Sequence, residues 1–341
     1  MSIDTEFAWG VDPSGLSRYS RLFDEEPRTV RRLIDLLDEY LIPATWAVVG
    51  RLLLEPGGER RRTPESWYHA PYILDWILGA RAPHEIGTHT FSHLHTGNPS
   101  VTREEWVSDL ETAVRTAREL GVDIRSIVYP RNQVAYTEIL PDFGIIAYRG
   151  VEKTWYGSGR GGLHFLDRAL GVASPTYSPS GLAEGDRLVN IPASQFLMGD
   201  NGVRRMIPPS SRIRQARLAL DRAGRRGEIY HLWFHPFNLG GGGRMFQTLE
   251  RILRDVAARR ERGELTVVTM GEAARLVLQE TAGRTTGRPD HTAGRTGHAP
   301  GGTGHATGLT GRTSGRTGDA SGRTGHAPGP AGDPTGRRSP A

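Results

Sequence analysis

Apolar positions recur along this chain in two alternating rhythms. Val30, Leu33, Ile34 and Leu37 fall at helical spacing and predict a helix over 29–41. Residues 44–49 follow as an apolar run closed by Gly50, the pattern of a buried strand. Residues 55–66 are polar and Arg-rich and read as a loop. Tyr72–Leu78 reads as a helix, 85–89 as a strand, and 104–120 as a long amphipathic helix stopped by Gly121. Further on, 124–129, 144–148, 188–191, 228–234 and 265–268 have strand character, while 249–260 and 271–278 have helical character. Repeated strand-then-helix units imply an α/β fold of parallel strands joined by crossover helices. At this length the pattern favours a closed or nearly closed β/α barrel over an open sheet. Chemistry is then expected at the C-terminal ends of the strands.

The rhythm stops near Thr281. From there the chain is built of Gly, Arg, Thr, Pro, Ala and His, and Leu309 is its one large aliphatic residue. The octet Gly-Arg-Thr-Gly-His-Ala-Pro-Gly occurs at 294–301 and again at 322–329. Such a segment buries too little apolar surface to offset its ordering entropy, so 1–280 is expected to be one folded domain and 281–341 a disordered tail. The eight Arg and three Asp of 281–341 supply the whole net charge of +5, which leaves the first 280 residues electrically balanced. A balanced domain argues against a specific nucleic-acid surface. The sequence has no Cys, so a metal would have to sit on His and carboxylates. No run approaches the ~20 apolar residues of a membrane span. With no leader read ahead of Asp4, the expectation is a cytoplasmic protein, although a start only three residues before Asp4 is short for a strand and points to a late start.

Candidate chemistry is concentrated in His84-Glu85-Ile86-Gly87-Thr88-His89-Thr90-Phe91-Ser92-His93. His89 and His93 are four apart, a spacing that would set both imidazoles on one side of a helical turn, where they can share a metal ion. Asp4-Thr5-Glu6 offers the anionic ligand, and residues two apart on a strand face the same way. Asp4–Glu6, His89–His93, Arg131 and His235 all fall at or just past predicted strand ends. The combination points to a metal-dependent hydrolase.

Ser2-Ile3-Asp4-Thr5-Glu6, Ala44-Thr45-Trp46-Ala47-Val48-Val49-Gly50, the His-Glu-Ile-Gly-Thr-His-Thr-Phe-Ser-His element, Tyr129-Pro130-Arg131-Asn132-Gln133 and Trp233-Phe234-His235-Pro236 together resemble the polysaccharide deacetylases, the NodB-homology group or carbohydrate esterase family four. The resemblance spans essentially all of 1–280. It implies a distorted, seven-stranded β/α barrel that hydrolyses acyl groups on sugars with a divalent metal, zinc for this donor set. It carries His89 and His93 over as metal ligands, with Glu6 as the third ligand and Asp4 as the catalytic base, or with Asp4 as the ligand if Glu6 points away. It makes His235 the acid, with His231 as the rival, and it pairs Arg131 with Asp4. Asn132-Gln133 departs from the family, whose motif here contains Pro and Tyr. Trp9, Trp67, Tyr68, Trp155 and Tyr156 are candidate sugar platforms, His95 lies on the substrate rim or behind the metal ligands, and His84 is structural.

The expected partner is a carbohydrate or glycoconjugate. A deformylase or other non-peptide amidase on the same scaffold, acting on a lipid-linked aminosugar or a small cyclic amide, is equally compatible with the sequence. A non-catalytic carbohydrate-binding barrel is the remaining reading, and the retained acids, histidines and Arg131 weigh against it.

Overall fold

A computed structural model of the chain describes residues 1–57, 63–152, 171–241 and 243–286. The candidate platforms Trp155 and Tyr156, and the tail from 287 onward, lie outside the described residues. The strands are β1 (Ser2–Thr5), β2 (Thr45–Val48), β3 (Glu85–Thr88), β4 (Ser126–Ile127), β5 (Ala147–Tyr148), β6 (Ala183–Glu184), β7 (Leu188–Asn190), β8 (Gln195–Phe196) and β9 (Leu232–Phe234). They form one sheet in the order β6-β7-β5-β4-β3-β2-β1-β9-β8. Every pairing is parallel except the short β6–β7 hairpin. The sheet therefore has nine strands among the described residues where seven were expected, because the hairpin strand β6 and the two-residue β8 carry too little pattern to be read from sequence. No pairing joins β6 to β8 among the described residues, so the barrel is curled rather than closed.

The helices are α1 (Leu16–Glu39), α2 (Tyr72–Leu78), α3 (Arg103–Glu119), α4 (Pro209–Arg226), α5 (Arg244–Glu261) and α6 (Met270–Thr286). α1 begins well before the expected 29–41 and continues through Pro27. Its first half is held by packing, with Phe23 fully buried and Leu16 and Tyr19 set against Ala8, Trp67 and Tyr68. Such packing outweighs an internal proline. α4 was not foreseen, since its core face is Ile213, Ala216, Ala219, Leu220 and Ala223 interleaved with a buried Arg212 and Gln215. Arg212 is accommodated because its guanidinium donates to the carbonyls of Ile207, Gly199 and Arg204. Residues 265–268, expected as a strand, pair with no strand and form none. α6 runs to Thr286, past the boundary placed at 280, and Thr281 Oγ1 donates to the Val277 carbonyl inside the helix.

The core lies between sheet and helices and is centred on Ile3, Trp46, Phe234, Leu33, Leu37, Trp106 and Leu249. Because β1, β2, β3, β4, β5 and β9 all run the same way, their C-terminal ends open on one edge, where residues distant in sequence converge. The curl brings them closer still. β5 stands four places from β1, ~19 Å on a flat sheet at the usual ~4.8 Å spacing, yet the Arg149 guanidinium just past β5 touches Asp4 of β1 at 2.6 Å. No helix among the described residues is long and apolar enough to cross a membrane.

Candidate active site

Three side chains from two strand ends form a possible metal-binding set. Glu6 follows β1 and His89 follows β3, while His93 lies four residues further on. His89 Nε2 and His93 Nε2 lie 3.0 and 2.9 Å from the same oxygen, Glu6 Oε2. All three residues are buried. His89–His93 is not a helical turn, as the spacing alone suggested. It is a bend with Thr90 (φ 66°) and His93 (φ 60°) in the left-handed region. The bend is tied down from α3, where the Asp109 carboxylate accepts from the Phe91 amide at 2.8 Å, the Ser92 amide at 3.1 Å and the Ser92 hydroxyl.

The donor set suits a divalent ion. His89 Nδ1 lies 2.7 Å from the Val128 carbonyl. A carbonyl only accepts, so the proton sits on Nδ1 and the Nε2 lone pair is free to ligate. His93 Nδ1 lies 3.2 Å from His95 Nε2, a contact between two ring nitrogens in which either can be the donor. Space around Glu6 is kept by Gly10, where an added Cβ would stand 2.0 Å from Glu6 Oε1.

Asp4 lies beside this set but belongs to another network. Its two carboxylate oxygens receive Arg149 Nη1 and Nη2 at 2.6 and 2.7 Å, a bidentate pair that is almost wholly buried. Arg149 also donates to Ser2 Oγ at 3.0 Å and to Asn132 Oδ1 at 3.2 and 2.8 Å, and its guanidinium stacks 4.1 Å from the Trp233 ring centroid. Burial by itself raises the Asp4 carboxyl, but Arg149, with smaller help from His235 and His89, holds it below the ordinary range. Glu6 is held well below its usual value because His235, His89 and His93 outweigh its burial. His235 Nε2 lies 3.2 Å from Glu6 Oε1 and 3.8 Å from Asp4 Oδ2. Burial lowers this imidazole, yet the two acids reverse that and raise it. A buried imidazole shifted upward thus faces two carboxyl groups shifted downward.

The expected Arg131–Asp4 pair does not form. Arg131 lines the cleft, but its guanidinium reaches Asp12 at 3.2 Å on the surface, and Arg149 occupies the place beside Asp4. Sequence reasoning missed Arg149, although its position directly after a predicted strand was a usable signal. The aromatic platforms are also corrected. Trp67 and Tyr68 are buried with Phe23, with Trp67 Nε1 donating to Asp24 and Trp9 Nε1 donating to the Tyr68 carbonyl. None of Trp9, Trp67 and Tyr68 lines the cleft, and neither does His95. The aromatic walls of this cleft of about 450 Å³ are Tyr19, Phe23, Phe196, Trp233 and Phe237. His231 lies at the start of β9, away from the acids. Its Nδ1 faces the Ile191 carbonyl at 3.3 Å, so its Nε2 accepts from Ser2 Oγ at 2.9 Å, and burial followed by nearby positive charge holds it well below its usual value. His84 accepts from the Ala44 amide at 3.2 Å and packs on Trp46.

Residues 19–138 match the family model for polysaccharide deacetylase. Comparison with curated proteins gives no match. The fold is similar to that of a Mycobacterium smegmatis protein described as a candidate polysaccharide deacetylase, at 19% identity and a TM-score of 0.59, over 82% of this chain and 90% of that one. It is also similar to the allantoinase Puue, at 13% identity and a TM-score of 0.56, over 80% and 87% of the two chains. The family-model match covers 120 of the 341 residues, so the chain is similar to the polysaccharide deacetylases over residues 19–138 and similar in fold to the Mycobacterium smegmatis protein.

Proposed function

We propose that this protein is a divalent-metal-dependent hydrolase that removes an N-acetyl, or closely related acyl, group from a sugar unit of a polysaccharide or glycoconjugate. The observation that carries this reading is the division of the two acids, with Glu6 gathered by His89 and His93 while Asp4 is held apart by Arg149. Glu6, His89 and His93 would hold the ion, and an imidazole–carboxylate set of this kind suits zinc. When bound, the ion supplies Lewis-acid activation of the acyl carbonyl and lowers the pKa of water.

The remaining work falls to side chains of this chain. Asp4, kept ionised by Arg149, takes a proton from the attacking water as its oxygen bonds to the acyl carbon. His235 gives a proton to the departing nitrogen as the carbon–nitrogen bond breaks, because an amide nitrogen leaves poorly without one. The products are the carboxylic acid and the free amine. Tyr19, Phe196, Trp233 and Phe237 offer ring faces for the sugar.

The test is acetate release from N-acetylglucosamine oligomers by zinc-loaded protein, abolished by chelator and restored by metal. Hydrolysis of only a formylated aminosugar or a cyclic amide such as allantoin would move the assignment to another amide on the same centre. Failure to bind metal or hydrolyse any of them would leave a carbohydrate-binding barrel.

A further inference from the structure

Asn132 follows β4 in the turn Pro130–Asn132 and lines the cleft with Asp4, Glu6, His89, His93 and His235. The Arg149 guanidinium approaches its Oδ1 from two nitrogens, Nε at 3.2 Å and Nη2 at 2.8 Å. A guanidinium has only donors, so the carboxamide oxygen must face Arg149 and the amide flip is fixed. The Asn132 Nδ2 amide is thereby turned away from Arg149, and it has no hydrogen-bond partner among the described residues. The backbone donors that follow Arg131 in this loop are already engaged. The backbone amides of Asn132, Gln133 and Val134 donate to Tyr129, Pro130 and Asn132 carbonyls at 2.9, 3.1 and 3.2 Å. The Gln133 side chain is drawn to the Gly97 amide at 3.1 Å, away from the acids.

We propose, on the basis of the hydrolase reading above, that the Asn132 Nδ2 amide donates a hydrogen bond to the substrate's acyl oxygen and stabilises the negative charge that develops there. The same carboxamide would then perform two tasks. Its oxygen anchors Arg149, which holds the base, and its nitrogen meets the reacting carbonyl. A donor locked by a buried guanidinium needs no reorganisation during the reaction, which is the condition under which such a contact acts on rate rather than on binding.

Two substitutions separate the tasks at a residue whose φ of 54° is left-handed. Asn132→Gly accepts that backbone freely and removes both contacts. Asn132→Asp tolerates it as well, keeps an oxygen for Arg149 and replaces the donor with a negatively charged acceptor. Both variants are expected to lose about 100-fold in kcat, the usual cost of one such donor, with KM within about threefold of wild type and metal content unchanged. Recovery of kcat in Asn132→Asp would overturn the proposal by showing that Asn132 serves only to place Arg149. A rise in KM without loss of kcat would overturn it by showing a ground-state contact to a sugar hydroxyl. A wild type that binds metal yet hydrolyses no acylated sugar or small amide would overturn the hydrolase reading and this inference together, whereas an active wild type with unaffected variants would overturn this inference alone.

Discussion

At the residue scale, the outcome rests on which cation meets which acid. Arg131 pairs with Asp12 on the surface, a contact of a type worth ~0–1 kcal/mol. Arg149 pairs with Asp4 in the interior, where removing one partner strands the other's charge at a cost of ~3–5 kcal/mol. Arg149→Ala is therefore expected to lower stability by about that amount in denaturant titration and to remove activity, while Arg131→Ala leaves stability within ~1 kcal/mol of wild type. Equal effects of the two would reassign Asp4's partner. The two acids should separate in the same manner. Asp4→Asn is expected to retain bound metal and lose roughly 100- to 10,000-fold in rate. Glu6→Gln should instead lose metal affinity, with activity partly restored by excess zinc. Metal lost from Asp4→Asn and kept by Glu6→Gln, read by elemental analysis, would make Asp4 the ligand.

At the element scale, the His89–His93 bend depends on α3. Asp109 satisfies two backbone amides and one hydroxyl of the bend, so Asp109→Ala frees the segment that carries His93. Support of this kind typically contributes 10- to 100-fold to metal affinity, and a loss of that size in a chelator competition assay is expected with the fold intact. Unchanged affinity would show that the bend holds itself. The start of β3 has its own pH dependence. His84 accepts the Ala44 amide and is pushed down to about 4, chiefly by burial, with Asp38 opposing. The unfolded imidazole titrates near 6.5. The neutral folded form is thus fully stable above that value, and stability falls as pH drops from ~6.5 towards about 4, by an amount on the order of 2–3 kcal/mol. His84→Gln should flatten this acid-side decline in unfolding free energies measured at pH 7 and pH 4.5, and an undiminished decline would assign it to other groups.

At the scale of the whole molecule, the boundary of the folded unit can be tested. α6 continues to Thr286, and beyond it the composition supplies almost no apolar residue able to join a core. Deleting 287–341 is expected to leave the melting temperature and activity unchanged, whereas cutting after 280 removes the last turns of α6 and lowers the melting temperature. A large drop on the first deletion would mean that the tail packs on the domain. The other molecular feature is the curl of the sheet, which brings groups from the ends of β1, β3, β5 and β9 within hydrogen-bond reach.

The sequence by itself determined the parallel α/β architecture, the positions of Asp4, Glu6, His89, His93 and His235 at strand ends, and the compositional break before the tail. These follow from local periodicity and from residue types at fixed spacing, which survive without knowledge of contacts. Only the tertiary structure decided that Arg149 rather than Arg131 holds Asp4, that Trp67 and Tyr68 pack inward while Phe196 and Trp233 line the cleft, and that α4 is a helix around a buried arginine. Each of these depends on which distant segment arrives beside a side chain. That is set by the curl of the sheet and the packing of helices, and neither leaves a mark in any short window of the chain.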